Sequence, residues 1–158
     1  MCQGISVYQS SMPSTASLQP PAPRLPVIHV VAGALIDAKD RVLIAQRPAG
    51  KHMAGGWEFP GGKIARDETP FDGLVRELRE ELNIKVLAAE PIVAYTHHYS
   101  DRSILLDLWR VTRYEGTPTS AEGQSIKWVA LADLESVGLL EADAPMIAPL
   151  KKAVARRL

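Results

Sequence analysis

The stretch from Thr69 to Leu82 does most to limit what this chain can fold into. Thr69 precedes Pro70, and Phe71, Leu74, Val75, Leu78 and Leu82 then recur every three or four residues. A hydroxyl that can cap a free amide, followed by a proline whose dihedral is preset, predicts a helix start. The spacing predicts a single apolar stripe. Such a helix must bury that stripe against another element, and the flanking segments supply one. Val27 to Ile36 and Val42 to Ile44 are apolar and β-branched with a polar turn at Asp37 to Asp40, which predicts a β-hairpin. Residues 48–63 are dense in Gly and Pro around Trp57-Glu58-Phe59 and predict a loop holding one short strand. Strands are expected over residues 86–99 and 103–114 and at Ile126 to Val129. A loop is expected over 115–125 and a final helix after Pro145. The expected class is α+β, with helices packed on a sheet.

Composition narrows the function classes. The 158 residues are 46% hydrophobic and 23% charged, ordinary values for one globular domain. Lys plus Arg and Asp plus Glu number 18 each, so there is no net field to hold a nucleic-acid polymer, although a small phosphate ligand remains compatible. Cys2 is the only cysteine, which excludes an internal disulfide and a Cys-based zinc site and suits a reducing, cytoplasmic compartment. No apolar run approaches the roughly 18 residues a membrane helix needs. Residues 1–26 hold five of the twelve prolines and no acidic residue, and read as a disordered tail. Arg24 is their only basic residue, unlike an Arg-rich transit leader. Residues 27–158 then form the domain.

The predicted helix also carries Glu77, Glu80 and Glu81 at i, i+3 and i+4, a stripe beside the apolar one. Like charges at that spacing repel by a few tenths of a kcal/mol per pair. On an isolated helix, surface pairing with Arg76 and Arg79 would be the ordinary explanation. Here Gly61-Gly62-Lys63 and Glu68 precede the helix, and Glu122 stands in a later loop. Several hard oxygen donors converging from a helix and loops suit Mg²⁺ or Mn²⁺, which in turn suit phosphate oxygens.

Gly62, five residues, Glu68, seven residues and Arg76-Glu77-Leu78-Arg79-Glu80-Glu81-Leu82-Asn83-Ile84 resemble the Nudix box. Asn83 stands where the family has Gly, at a helix end needing the left-handed conformation that Asn tolerates best after Gly. The resemblance spans residues 27–158. It is closest to the MutT-type 8-oxo-dGTP diphosphatases, through Arg47-Pro48, His52-Met53, Trp57-Glu58-Phe59-Pro60-Gly61-Gly62-Lys63 and Glu122-Gly123-Gln124. It implies a Nudix α/β/α sandwich around a central mixed sheet. It also implies metal-dependent cleavage of a nucleoside triphosphate, 8-oxo-dGTP first, into monophosphate and pyrophosphate. By position, the Gly61 carbonyl, Glu77, Glu80, Glu81 and Glu122 would ligate the metal, Glu77 or Glu122 would act on the attacking water, and Arg76 would hold Glu77. Lys63 and Arg47 would bind phosphate, His52 would lie near the nucleotide, and Phe59, Arg47 and Arg102 would frame the base. The implied partner is a small nucleotide bound by a monomer or weak homodimer.

Asp143 stands where the MutT-type enzymes place a base-reading Asn. An amide both donates and accepts, whereas an ionised carboxylate only accepts and would oppose the O6 of 8-oxoguanine unless protonated. A carboxylate does suit an exocyclic amine. This opens a second reading, a pyrophosphohydrolase of cytidine-type or oxidised adenine triphosphates. A silent Nudix-like nucleotide-binding module would be expected to lose box acids, yet Glu68, Glu77, Glu80, Glu81 and Glu122 are all present. Other features take plainer readings. His97 and His98 should face opposite sides of a strand, His29, Trp109 and Trp128 should be core, and Lys151, Lys152, Arg156 and Arg157 should form a basic helix end.

Overall fold

The computed structural model describes residues 20–156, so Cys2, Arg157 and most of the expected tail lie outside it. Residues 20–26 are exposed and carry no regular element. The order is β1 (Val27–Leu35), β2 (Arg41–Gln46), β3 (Trp57–Glu58), β4 (Gly61–Lys63), α1 (Pro70–Leu82), β5 (Lys85–His98), β6 (Ser103–Glu115) and β7 (Ile126–Ala130). Two 3₁₀ turns, Leu131–Ser136 and Ala144–Met146, then lead to α2 (Ile147–Ala155).

The sheet layer is divided. Strands β4-β1-β6-β5 form a mixed sheet in which β1 and β6 run parallel, and β3-β2-β7 form a smaller antiparallel one. The parallel pair needs a long crossover between its strands, and α1 lies within it. The expected hairpin between β1 and β2 is therefore corrected to a turn between sheets. The turn itself forms, with the Asp37 carboxylate accepting from the Lys39 and Arg41 amides at 2.9 Å. Beyond the single bridge between Ile36 and Val42 the strands part, because β1 pairs with β4 and β6 while β2 pairs with β3 and β7.

Alternation along β1 explains the two covering helices. Val31 and Leu35 point into one core with Leu74, Leu78 and Leu82 of α1, together with Leu43, Ile84 and Val111. Ala32 and Ala34 point into the opposite core with Met146, Ile147 and Leu150 beside α2, together with Val42, Ile44 and Leu108. A strand buried on both faces reads as a continuous apolar run, as this one does. Gly33 lets α1 approach closely, since a Cβ there would come within 2.8 Å of Leu78 Cδ1. Truncating the fully buried Leu78 to Ala costs about 2–5 kcal/mol.

The helix ends are those expected. Thr69 Oγ1 accepts from the Asp72 amide at 3.1 Å, Pro70 opens the helix, and Asn83 closes it at φ 55°. Ile84 packs in the same core as Leu78. His29 departs from the core reading: it is partly exposed, with Nε2 3.3 Å from Asp107. Trp109 and Trp128 are half-buried against the α1-side core rather than inside it. His97 is half-buried and His98 exposed, as expected of strand neighbours. Among the described residues no helix is long and apolar enough to cross a membrane.

Candidate active site

Arg76, at the middle of α1, organises the acids around it. Its guanidinium grips Glu68 through two hydrogen bonds of 2.8 and 2.9 Å, donates to the Lys63 carbonyl at 3.0 Å and donates to Glu77 Oε1 at 2.8 Å. These charge-assisted bonds, with the Ala65 amide, hold the Glu68 carboxyl down at about 2 and tighten the proton on Arg76. Glu80 lies further out, half exposed, with its Oε2 3.5 Å from Arg76. The arginine thus fixes Glu77 from the loop side. A Cβ on Gly62 would sit 2.5 Å from the Glu77 carboxylate carbon, so glycine is required for β4 to pass this close.

Glu81 occupies a different environment. Its Oε2 accepts from the Gly61 amide at 3.2 Å, and burial pushes its carboxyl up to about 8. The neighbouring charges of Glu77, Glu122 and Glu58 push the same way. Each of these charges disfavours ionisation of Glu81 unless a counter-charge stands nearby. An arrangement of hard oxygens that resists its own charge fits a divalent cation, which would replace the missing neutralisation. Among the described residues, however, no three acidic, histidine or cysteine side chains close into a ready-made metal cage. Glu122 stays on an exposed loop, tied at its backbone to Gln124.

The residues assigned to the base lie on the α2 side. Asp143 is only 6% exposed, and its Oδ2 accepts from the Phe59 amide at 2.8 Å. Burial raises its carboxyl to about 7, with Glu58 adding to the rise and Arg47 and the Phe59 amide opposing it. Phe59 itself is core, 3% exposed, so it supplies a floor rather than an open stacking face. Arg47 Nη1 bonds Glu58 Oε2 at 3.0 Å. Lys63 is exposed. Arg102 lies over the Tyr99 ring, 5.4 Å from its centroid, and His52 meets the same ring edge-on at 6.1 Å. Tyr99 therefore gathers two of the expected contact residues, from the β2–β3 loop and the β5–β6 turn.

Three residues escaped sequence reasoning. Glu58 is buried enough for its carboxyl to rise, and its charge acts on both Glu81 and Asp143. Tyr95 donates its hydroxyl to the Ala142 carbonyl beside Asp143. Gln124 is buried against the end of α1. For Glu58 and Gln124 the sole sequence signal was a polar residue inside a motif whose other members took the attention.

Comparison with known proteins agrees with this geometry. The chain is 40% identical over 121 residues to the CTP pyrophosphohydrolase of Escherichia coli strain K12, covering 77% of this chain and 89% of that one. It is 37% identical over 125 residues to the 8-oxo-dGTP diphosphatase of the same organism, covering 79% and 97%. The solution structure of the E. coli ORF135 protein matches with a TM-score of 0.74 at 36% identity, covering 84% of this chain and 94% of that one. The NUDIX domain model matches residues 31–149, which include the whole of α1 and every acid described above. By fold, acidic helix and kinship alike, the chain belongs to the NUDIX domain family and is a Nudix hydrolase.

Proposed function

We propose that this protein is a divalent-metal-dependent nucleoside triphosphate pyrophosphohydrolase that converts 8-oxo-dGTP to 8-oxo-dGMP and pyrophosphate. The observation that carries the reading is the crowding of carboxylates around Glu81, whose charge calls for a cation beside phosphate. Mg²⁺ or Mn²⁺ would be held by Glu77, Glu81, Glu122 and the Gly61 carbonyl, with Glu80 at the rim. When bound, such an ion neutralises phosphate oxygens and makes a coordinated water more acidic. Arg76 keeps Glu77 oriented through its 2.8 Å hydrogen bond. Glu77 or Glu122 then takes the proton from the attacking water. Lys63, which is exposed, would meet phosphate oxygens, and Arg47, anchored on Glu58, would bind phosphate and help frame the base. The zero net charge agrees with a free nucleotide rather than a polymer as substrate. We read the enzyme as a cytoplasmic monomer or weak homodimer that clears oxidised nucleotides before they enter DNA.

Asp143 favours a second reading in the same fold. With Oδ2 engaged by the Phe59 amide, Oδ1 is left for the base. Protonated, that oxygen donates to O6 of 8-oxoguanine; ionised, it accepts from an exocyclic amine such as cytosine N4. A carboxyl near 7 sits between these states. Pyrophosphate release from 8-oxo-dGTP, dGTP, CTP, dCTP and an oxidised adenine triphosphate, with Mg²⁺ at pH 6 and pH 8, tests both. The expected result is preference for 8-oxo-dGTP at pH 6, with amine-bearing substrates gaining at pH 8. A chain that releases pyrophosphate from none of them with any divalent metal overturns the assignment.

A further inference from the structure

The last carbonyls of a helix have no partner within it and normally turn to water. In α1 they are taken by the loop that carries Glu122. Leu82 O accepts from the Thr119 amide and Glu81 O from the Ala121 amide, each at 3.0 Å. Glu81 O also accepts from Gln124 Nε2 at 3.0 Å. The other end of the same amide, Gln124 Oε1, accepts from the Glu122 amide and from the Ser120 hydroxyl, both at 3.1 Å. The single Ser120 hydroxyl hydrogen is shared between Gln124 Oε1 and the Gln124 carbonyl. Gln124 is 8% exposed, so water does not compete for these bonds. One side chain therefore links the peptide group of Glu81 directly to the peptide group of Glu122. Beside this link Gly123 has φ +79°, and among the described residues nothing outside its chain neighbours stands within 4 Å of where its Cβ would be.

We propose that Gln124 is a positioning residue that sets the separation of Glu81 and Glu122, and so the affinity of the divalent-cation site the two acids share. The inference rests on the metal-dependent reading above. The Gln124 amide is engaged by Glu81 O, the Glu122 amide and Ser120, and so fixes the backbone from which the two acids project. Hydrogen-bond partners of metal ligands typically change metal affinity by 10- to 100-fold. Two substitutions divide the link. Gln124→Glu keeps the acceptor for Glu122 and loses the donor to Glu81 O, while Gln124→Met loses both at nearly constant size.

The experiment is a titration of the full chain with Mn²⁺ alone, followed by water-proton relaxation, together with kcat and KM for 8-oxo-dGTP. Gln124→Glu should bind Mn²⁺ about 10-fold more weakly and Gln124→Met up to about 100-fold more weakly. In both, kcat should fall and recover partly at high Mn²⁺, while the nucleotide KM at saturating metal stays within about threefold of native. Leu134→Ala, which opens the α2-side core, serves as an equally destabilised comparison and should leave Mn²⁺ affinity unchanged. Mn²⁺ affinity within about twofold of native in a folded Gln124 variant overturns the proposal. So does an equal loss in Leu134→Ala, which would mark a general effect of stability. If Gln124→Met does not fold, Gln124→Glu alone decides. Loss of Mn²⁺ binding in Glu81→Gln but not in the Gln124 variants removes this inference and keeps the metal site. A native chain that binds no Mn²⁺ removes both.

Discussion

Asp143 is buried and Glu81 half-buried, and both acids lean on the same piece of backbone. Phe59 N–H donates to Asp143 and Gly61 N–H, two residues on, donates to Glu81. Burial is the first cause of the raised carboxyl in each, to about 7 and about 8. Their surroundings differ. Asp143 is closed in beside Ala142 and Met146 and has Arg47 as a nearby cation, whereas Glu81 has three acids as neighbours, Glu77, Glu122 and Glu58. Burial alone makes an acid hold its proton; burial among other acids makes it ready to exchange that proton for a metal ion. On the proposed function, the same physics would serve recognition at Asp143 and metal binding at Glu81.

The sharpest way to break the comparison is to neutralise each acid in turn. Glu81→Gln keeps the acceptor for Gly61 and should lower turnover by at least ~10²-fold, the scale of metal and acid–base contributions. The same variant should be more stable than native in metal-free denaturant unfolding at pH 8, because Gln carries no charge to be desolvated among the neighbouring acids. Normal turnover in the folded variant would show that Glu81 is not part of the chemistry. Asp143→Asn should instead leave turnover largely intact. It should shift relative kcat/KM toward 8-oxo-dGTP and away from amine-bearing substrates by ~1–3 kcal/mol at pH 8, one base contact. A substrate profile identical to native at every pH would mean that Asp143 does not read the base.

Stability follows pH in a direction set by Asp143. Between its ordinary 3.8 and about 7 the folded chain holds a proton that the unfolded chain releases. Stability from this group is therefore complete at low pH and is lost as pH rises through that window. Asp143→Asn should abolish that part of the decline, so its melting temperature relative to native should rise from pH 5 to pH 8. Apparent Mn²⁺ affinity should move the opposite way in the native chain. It should strengthen by up to about tenfold per pH unit below 8, since Glu81 must give up its proton first. A flat profile from pH 6 to pH 8, read by the same relaxation titration, would place the cation elsewhere. The smallest effect is reserved for Asn83→Gly, at the left-handed end of α1. It should stabilise by less than about 1 kcal/mol and leave both acids as they are.

The sequence was most readable where a local rule sufficed. The cap at Thr69, the stripe from Phe71 to Leu82 and the left-handed Asn83 all follow from neighbours within one or two turns. The acids of α1 were visible for the same reason. What stayed hidden depends on chain segments far apart. The parting of β1 and β2 follows from partners that β6 and β7 supply, which no reading of the intervening turn reveals. Glu58 looked like one polar residue in an aromatic strand, and its charge acts on Glu81 and Asp143 only because the fold brings the three within electrostatic range. Gln124 was noticed as part of a motif, whereas its bonds to Glu81 O and the Glu122 amide belong to the folded loop.

The seven residues from Trp57 to Lys63 begin in the antiparallel sheet as β3 and end in the mixed sheet as β4. The chain crosses between the sheets at Phe59 and Pro60, and it is from this crossing that the two buried acids receive their amide donors. Two residues of extended chain span ~7 Å, a length set by covalent geometry rather than by packing. The crossing therefore acts as a fixed ruler between Asp143, proposed to read the base, and Glu81, proposed to hold the metal. Inserting one residue between Phe59 and Gly61 would leave each acid intact and still change the spacing between them, and with it, on the proposed function, the register of base and scissile bond.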